Sequence, residues 1–401
     1  MELLHKFLSA PADFLTTYFL PFVVVLSILV FVHEWGHYII ARLCGVKVET
    51  FSIGFGKEIY GWTDKAGTRW KFSWLPLGGY VQMFGDIDPA SAKHGDGVKE
   101  DGRKRLFTAA EKKVAFYTQS IAKRSAIVFA GPAINFIFAI IILTVMFALH
   151  GQPYTPPVAA KLVAGSPAEK AGILPDDKIL EMDGQTIERF QDMAMYTAVS
   201  LNKEIAVKIV HSTAKGQWSG QPVILRVTPA LVEEVDRFGF KHQRGRLGII
   251  GPSADFEVRP HSWGSAFVAA NKSVWEISSN TLKAIGQMIT GTRSADELGG
   301  ILRIGAYAGD FAQQGIASLI MFTALLSVNL GLINLLPIPM LDGGHLAFYA
   351  METMKGKPMS ERFQEYALRV GLVFLLGIML FATWNDLVQL KAFYYIKSLI
   401  S

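Results

Sequence analysis

The sequence has 401 residues, of which 51% are hydrophobic and only 18% are charged, and its mean hydropathy is +0.30. This is more apolar than an ordinary soluble domain, so membrane-spanning segments are expected. The formal net charge of +5 is modest and gives no support for nucleic-acid binding, which usually clusters Lys and Arg on one domain. The single cysteine, Cys44, excludes an intramolecular disulfide and a zinc cluster built from cysteines.

Four apolar stretches come near the roughly 20 residues that a helix needs to cross a bilayer. They cover residues 14–40, 127–149, 316–336 and 368–383, and they predict a multi-pass α-helical membrane protein with four transmembrane helices. The connections after the first and third stretches are rich in Lys and Arg. By the positive-inside rule these connections lie in the cytoplasm, and the long connection between the second and third stretches lies outside.

The region after the first membrane segment predicts a small β structure. Residues 48–60 and 69–84 alternate in polarity and are rich in aromatic residues, which predicts two strands, and their glycines mark turns or bulges. Residues 86–105 are charged and contain glycine, which predicts a mobile loop. Residues 108–123 indicate a surface helix that leads into the second membrane segment.

Residues 154–252 predict an inserted α+β domain. Ser166 occupies the N-cap position of a short helix, Pro167 its first position, Glu169 the third position of a capping box, and Gly172 its end. Strands are predicted at 178–182, 205–210 and 222–227. This order of elements resembles a bacterial, circularly permuted PDZ domain.

The resemblance implies a carboxylate-binding loop near the end of that domain, where Gly245, Leu247, Gly248 and Ile249 are the candidates. PDZ domains bind peptide C-termini by adding a strand to a sheet edge. The alternative is a simple turn between strands. The residues that follow, 261–291, have apolar positions at helical spacing, and we expect an amphipathic helix that lies on the membrane or packs on the PDZ domain.

The chemically informative motif lies at the end of the first apolar stretch. His33, Glu34 and His37 form an H-E-x-x-H sequence, which on a helix puts both histidines on one face within reach of one zinc ion. Glu34 is then placed to take a proton from the attacking water. Such groups are costly at the end of an apolar helix unless they are used, although two histidines satisfied by other polar groups are the alternative.

A catalytic zinc usually has a third protein ligand. The third apolar stretch contains Asn334, is broken by Pro337 and Pro339, and reaches Asp342 just before two glycines and His345. Broken helices are tolerated at membrane depth where they line a polar cavity. Asp342 is therefore the candidate third ligand, with helix capping as its alternative role. His345 is expected to have a supporting or structural role rather than to bind the metal.

An H-E-x-x-H paired with N-x-x-P-x-P-x-L-D-G-G resembles the site-2 protease family, and most closely its bacterial branch, the regulator of sigma-E protease. Gly131, Pro132 and Asn135 in the second segment also resemble that family. The resemblance covers nearly the whole chain, although some members have two PDZ domains and this sequence shows one. It implies that His33, His37 and Asp342 hold one Zn²⁺. It further implies that Glu34 is the general base and that Asn334 binds the substrate carbonyl or its oxyanion, with capping of the broken helix as the alternative for Asn334.

A transmembrane substrate is helical, and its peptide bonds must be exposed before they are cut. In the resembling family a membrane-associated β-hairpin is given this role. The candidate substrate-binding residues are therefore Gly54, Phe55, Gly56, Gly78 and Gly79, together with Asn334. A sheet with only structural duties is the alternative.

The sequence thus predicts a zinc-dependent intramembrane metalloendopeptidase of a bacterial inner membrane. Its active site lies near the cytoplasmic side and its PDZ domain in the periplasm. The expected partners are the lipid bilayer, peptide C-termini and single-span membrane proteins such as a trimmed anti-sigma factor, cleaved in regulated intramembrane proteolysis. The alternatives are a membrane-anchored PDZ scaffold with a structural metal site, and a zinc transporter, which leaves Glu34 unexplained.

The predicted domain boundaries follow these motifs. They are 1–41 (first membrane helix), 42–125 (β region and loop), 126–150 (second membrane helix), 154–252 (PDZ domain), 253–315 (amphipathic or linker region), 316–345 (third membrane segment), 346–366 (cytoplasmic loop) and 367–401 (fourth membrane helix and tail).

Overall fold

The computed structural model describes residues 11–85, 97–100, 103–214, 217–252 and 257–391. The chain divides into two compact units. The first, called the membrane unit, contains the described residues of Lys6–Leu143 and Gly300–Thr383, and the second, called the insert unit, contains those of Thr144–Gly299 and Trp384–Ser401.

Helices make up much of the described chain, and four helical segments are long and apolar enough to cross a membrane. The helices are α1 (Pro11–Phe14), α2 (Leu20–Leu43), α3 (Ala109–Val114), α4 (Ile121–His150), α5 (Pro167–Lys170), α6 (Phe190–Ala198), α7 (Trp263–Ile289), α8 (Ile301–Gln313), α9 (Ile316–Asn334), α10 (Asp342–Lys355) and α11 (Glu361–Gln389). A π-helical turn, Leu15–Phe19, joins α1 to α2. The four candidate spans are Ala12–Leu43, Ile121–His150, Ile316–Asn334 and Arg362–Gln389, which confirms the predicted number of such helices.

One predicted helix boundary is wrong. The surface helix expected over 108–123 stops at Val114, because Ala115 adopts an extended conformation and the N–H of Phe116 bonds to the carbonyl of Phe84. Phe116 is buried, so a tertiary contact ends the helix where local propensity does not. Helix α9 ends at Asn334, so the predicted break at Pro337 and Pro339 follows it directly.

The strands occur mostly in pairs. They are β1 (Val48–Thr63), β2 (Arg69–Met83), β3 (Gly97–Glu100), β4 (Arg103–Leu106), β5 (Gln152–Tyr154), β6 (Lys161–Leu162), β7 (Lys178–Met182), β8 (Gln185–Thr186), β9 (Ile205–Val210), β10 (Ser212–Ala214), β11 (Gln217–Trp218), β12 (Val223–Val227), β13 (Ala230–Val235), β14 (Lys241–Arg246), β15 (Ile249–Ile250) and β16 (Glu257–Arg259). The loop predicted at 86–105 lies partly outside the described residues, and its described part forms the antiparallel pair β3 and β4.

The β1–β2 pair folds back on itself. Residues 50–53 of β1 pair with residues 79–82 of β2 on one side and with residues 69–72 of β2 on the other. Bends make this possible, and they fall at glycines with φ values of +90° at Gly54 and +132° at Gly78, a region that glycine adopts readily. The residues 79–83 therefore form an edge of this sheet.

This sheet packs on the end of α2 and the start of α4. The shared core contains buried residues from the sheet and from both helices, which fixes the sheet edge beside the helices. These core residues are Ala41, Val46, Val48, Phe51, Val81, Met83, Phe116, Ile127, Val128 and Tyr349.

The insert unit is built around a four-stranded sheet of order β12-β9-β7-β8. The short helix α5 begins as expected, since Ser166 caps it and Pro167 is its first residue. Glu169 does not complete a capping box, because its carboxylate accepts from the N–H of Gly165, one residue before the N-cap. Buried aliphatic side chains such as Ile179 and Ile205 fill the core between the sheet and the two helices α5 and α6.

Helix α7 occupies most of the region predicted to be amphipathic. One face, with Ala266, Ala270 and Val274, is buried. Lys272 forms an ion pair with Glu188 at 2.8 Å, so the helix packs on the rest of the insert unit. Large apolar side chains on other faces are exposed, namely Trp263, Phe267, Val268, Trp275, Leu282 and Ile289. Contact of this exposed stripe with lipid stays a prediction.

Candidate active site

The last turns of α2 bring two histidines together. His33 and His37 lie one turn apart and are both buried, and their Nε2 atoms are 3.3 Å apart. Leu, Val and Ile residues that precede them in α2 favour a continuous apolar helix, so the spacing of four in the sequence becomes proximity in space.

Asp342 meets these histidines from the far end of the chain. After α9 ends, the segment that contains Pro337 and Pro339 turns back, and Asp342 is the first residue of α10. Its Oδ2 lies 3.1 Å from Nε2 of His33, and its Oδ1 lies 3.6 Å from Nε2 of His37. The carboxylate therefore faces the imidazoles, which supports the predicted ligand role over simple helix capping.

The turn before Asp342 depends on close backbone contacts. Met340 has a φ of +81°, which is uncommon for a residue with a side chain. A Cβ at Gly343 would lie 2.2 Å from the Leu336 carbonyl oxygen, and one at Gly344 would lie 2.4 Å from that of Ile338. The two glycines of the L-D-G-G motif therefore let α10 start against the turn, which sets the position of the carboxylate.

The three donor atoms fit a zinc ion. Ligand atoms that lie about 2.0–2.1 Å from one zinc at tetrahedral angles are about 3.3 Å from each other. The Nε2 atoms of His33 and His37 are 3.3 Å apart, and the carboxylate of Asp342 comes to 3.1 Å from the first through Oδ2 and to 3.6 Å from the second through Oδ1. Two imidazoles and one carboxylate are also a donor set used by catalytic zinc, which keeps its fourth position open.

Helix α4 passes directly behind the imidazoles. A Cβ at Gly131 would lie 2.3 Å from Nε2 of His37 and 2.9 Å from Cε1 of His33, so only glycine fits there. Nδ1 of His37 is 2.9 Å from the Ile127 carbonyl oxygen, and Nδ1 of His33 is 3.0 Å from the side-chain amide of Asn135. The contacts of Ile127 and Asn135 with the histidines were not predicted, although residues 127, 131 and 135 follow a helical spacing of four.

A cavity of about 230 Å³ opens at the donor atoms. Glu34 lines it beside the sheet edge, where a Cβ at Gly79 would lie 3.3 Å from Cγ of Glu34. Asn334 also lines it, with Nδ2 at 3.5 Å from Nε2 of His33. The structure thus gathers all of the residues predicted to bind metal or to act in catalysis, which are His33, Glu34, His37, Asn334 and Asp342.

The predicted substrate-binding residues separate into two groups. Gly79 lines the cavity together with Tyr80, Val81 and Met83. Gly54, Phe55, Gly56 and Gly78 lie at the bends of the β1–β2 sheet and are not among the described residues that line the cavity.

Comparison with known proteins assigns the chain to a family. The sequence model of the family described as "Peptidase family M50" matches residues 21–378. The chain belongs to peptidase family M50. It is 40% identical to a protein of Agrobacterium fabrum described as a zinc metalloprotease, over 96% of this chain and 99% of the relative. A protein of Rhizobium meliloti with the same description is 40% identical over 91% of this chain and 95% of its own. The metalloprotease MmpA of Caulobacter vibrioides is 38% identical to this chain, over 94% of this chain and 97% of the relative.

As a member of family M50, the chain is a zinc-dependent metalloprotease with helices suited to a membrane. Zinc held by the three donors would supply a Lewis acid that polarises a carbonyl and lowers the pKa of water. Glu34 lines the cavity beside these donors, and its role as general base stays a prediction.

Asn334 is placed to assist at the substrate carbonyl. Its side chain lines the cavity, and its Nδ2 lies 3.5 Å from Nε2 of His33. An amide N–H aimed at a developing oxyanion typically stabilises the transition state by about 3–4 kcal/mol. This role stays a prediction. His345 also lines the cavity but does not belong to the group of possible metal donors among the described residues.

Proposed function

We propose that this M50 metalloprotease is an intramembrane endopeptidase that cleaves the transmembrane segments of single-span membrane proteins. The position of the donor atoms carries the proposal. His33 and His37 belong to Ala12–Leu43, which is long and apolar enough to cross a membrane, and Asp342 follows the comparable segment Ile316–Asn334. Ionisable groups within apolar spans are costly and usually mark functional sites.

The distribution of basic residues supports a membrane topology with the active site on the cytoplasmic side. The donors lie near the C-terminal end of one candidate span and just beyond the C-terminal end of another. The Lys- and Arg-rich connections follow these same ends, which favours the cytoplasmic side for both. We infer an active site near the cytoplasmic face of a bacterial inner membrane. The connection between the second and third spans then lies in the periplasm.

We infer that the substrate binds as an extended strand along residues 79–83. These residues form a sheet edge that lines the cavity beside Glu34. The N–H of Phe84, just after β2, donates to the carbonyl of Lys47, just before β1, so it points away from the free edge. Because backbone groups alternate in direction along a strand, those of Gly79, Val81 and Met83 face the cavity. An unwound substrate segment can pair with them and expose its peptide bond.

This strand pairing predicts a periodic effect of substrate methylation. N-methyl groups are introduced one at a time along the cleaved segment of a synthetic transmembrane peptide. Each methylation of an amide that pairs with the sheet edge is expected to lower kcat/KM by about tenfold, because one hydrogen bond is lost. Alternate amides, which face away, are expected to tolerate the change. A uniform loss at every position, or no loss at any, would contradict strand pairing.

We also infer that the insert unit contains a single PDZ domain. A groove of about 230 Å³ lies between α6 and residues 245–249, and Leu247, Gly248 and Ile249 line it with Ala194. Gly248 has a φ of +79°, and a Cβ there would lie 2.3 Å from that of Ser166, so glycine is required for this loop. β15 pairs with β6, and its residue Ile249 borders the groove, as a peptide-accepting strand requires.

Gly245 differs from the other predicted loop residues. It lies within β14 rather than in the loop, and a Cβ there would lie 2.3 Å from the Thr197 carbonyl oxygen of α6. Its lack of a side chain therefore serves the packing of β14 on α6.

Capture of a free C-terminus is tested on the full-length protein with a fluorescent peptide that ends in valine. Binding is expected to saturate and to weaken by about tenfold or more when the terminal carboxylate is amidated, since hydrogen bonds to a charged group are lost. Replacing Ala194 by tryptophan fills the groove and should have a comparable effect. Equal binding of the peptide with a free carboxylate and the peptide with an amidated C-terminus would show that the domain does not recognise a C-terminus.

The biological role that fits these features is regulated intramembrane proteolysis, with a substrate such as an anti-sigma factor already trimmed outside the membrane. Membrane proteomes of cells with the wild-type protein and with a Glu34→Gln variant are compared. A trimmed single-span protein is expected to accumulate in the variant. If the membrane fragments are identical in the two strains, the proposed substrate class is wrong. A PDZ scaffold with a structural metal leaves Glu34, in an open cavity beside the donors, without a role.

A further inference from the structure

Helix α4 presents three groups to the histidines at intervals of four residues. Ile127 brings its carbonyl oxygen to His37, Gly131 leaves room for both rings, and Asn135 brings its side-chain amide to His33. Residues four apart share one face of a helix, so this face of α4 contacts both imidazoles. Its two hydrogen-bonding groups, at Ile127 and Asn135, meet the Nδ1 atoms, while the Nε2 atoms approach Asp342.

The contact with Ile127 decides the tautomer of His37. A carbonyl oxygen can only accept a hydrogen bond, so Nδ1 of His37 carries the hydrogen and Nε2 keeps its lone pair.

The contact with Asn135 leaves two orientations open at His33. The amide atom 3.0 Å from Nδ1 is assigned as the nitrogen, which would donate to Nδ1. His33 would then carry its hydrogen on Nε2, the atom that faces Asp342, and could not bind a metal through it. Rotation of the amide by 180° exchanges oxygen and nitrogen with almost no change in shape, and ordinary structure determination does not distinguish them.

The rest of the amide does not favour either orientation. Asn135 is fully buried, and its second amide atom has no hydrogen-bond partner in the part of the chain that the structure describes. One buried amide atom is left without a described partner whichever way the group is turned. The choice is therefore decided at His33, where only the oxygen can accept a hydrogen from Nδ1.

We propose that Asn135 is a positioning residue that presents its carbonyl oxygen to Nδ1–H of His33. With the Ile127 carbonyl it holds both imidazoles in the tautomer that directs the Nε2 lone pairs at zinc. The inference rests on the proposed zinc site. Groups that orient a metal-binding histidine through its second nitrogen typically change metal affinity by about 10–100-fold when they are removed.

The test measures zinc affinity of the purified full-length protein by competition with a chelator. Asn135→Leu removes both donor and acceptor and is expected to weaken zinc binding by about 10–100-fold. Asn135→Asp keeps an acceptor and loses the donor, so its affinity is expected to stay within about threefold of the wild type. Asn135→Ala is measured in parallel. If the leucine side chain clashes and prevents folding, the smaller alanine side chain still removes the amide without a clash.

Two further variants make the result specific. Ser327→Ala removes the hydroxyl that donates to the backbone carbonyl of Asn135 at 2.8 Å, and it should leave zinc affinity unchanged. His33→Ala removes a ligand and should abolish tight zinc binding. If His33→Ala has no effect, the proposed zinc site itself is wrong. If His33→Ala loses zinc and the folded leucine and alanine variants do not, only the role of Asn135 is wrong.

A spectroscopic measurement separates an accepting from a donating amide. The protein is loaded with Co²⁺, whose visible absorption reports the ligand atoms and their geometry. The spectrum of Asn135→Asp is expected to match that of the wild type, and the spectra of the leucine and alanine variants are expected to differ. A folded aspartate variant that loses zinc and the cobalt spectrum as fully as the leucine variant would show that Asn135 donates, and would overturn the proposal.

Discussion

Replacing Glu34 by glutamine is expected to lower the rate of substrate cleavage by at least about 100-fold, because a general base typically contributes 10²–10⁴ to a rate. The amide has nearly the same shape as the carboxylate but cannot take a proton from the attacking water. Glu34 is not one of the three metal donors, so zinc content should remain at one ion per chain. Cleavage of a transmembrane peptide and metal content are measured on the same preparation.

The matched control for this change is Glu204→Gln. Glu204 is exposed and pairs with Arg226 on the surface of the insert unit, where such pairs contribute little. We expect wild-type cleavage and zinc content for the control. Near-normal turnover by Glu34→Gln would exclude Glu34 as the general base, whereas a loss of zinc together with activity would instead show that the residue maintains the metal site.

Replacing Gly131 by alanine is expected to weaken zinc binding by more than about 100-fold. This is more than the change in metal affinity that usually follows the loss of a group that orients a metal ligand. The added Cβ would lie 2.3 Å from Nε2 of His37, the atom that faces the metal donors. The ring cannot move aside without breaking its hydrogen bond to the Ile127 carbonyl. Either the ring or α4 must shift, and both changes separate the donor atoms. Zinc affinity and peptide cleavage should fall together.

Gly377→Ala provides the control for alanine in a membrane helix. Gly377 lies in α11. Among the described residues, no heavy atom lies within 4 Å of the Cβ that alanine would add there, leaving aside its chain neighbours and the backbone of its own helix. This variant should bind zinc normally, and its helix should be slightly more stable because alanine is a better helix former than glycine. Wild-type zinc affinity in Gly131→Ala would mean that α4 does not constrain the imidazoles.

The sequence predicted the parts of the fold that local patterns control. Four apolar segments of sufficient length appear as four helices of sufficient length, and Ser166 and Pro167 begin α5 as expected. The pattern failed at residues 108–123, where burial of Phe116 against the β region ends α3 early. The sequence pattern also did not predict that β1 pairs with β2 along both edges of β1. The register of such pairing depends on where the strands bend and on the surface that they pack against.

The site shows the same division between local and tertiary information. The spacing of His33 and His37 by itself put two imidazoles on one helix face, because four residues make about one turn. The motif around Asp342 nominated the third donor, but only the fold brings its carboxylate to within 3.1 Å of a residue about 300 positions away. The contacts of α4 with the histidines, and the sheet edge beside Glu34, likewise depend on how separate elements pack. Packing joins residues that are remote in sequence, so a single sequence can nominate such partners but cannot place them.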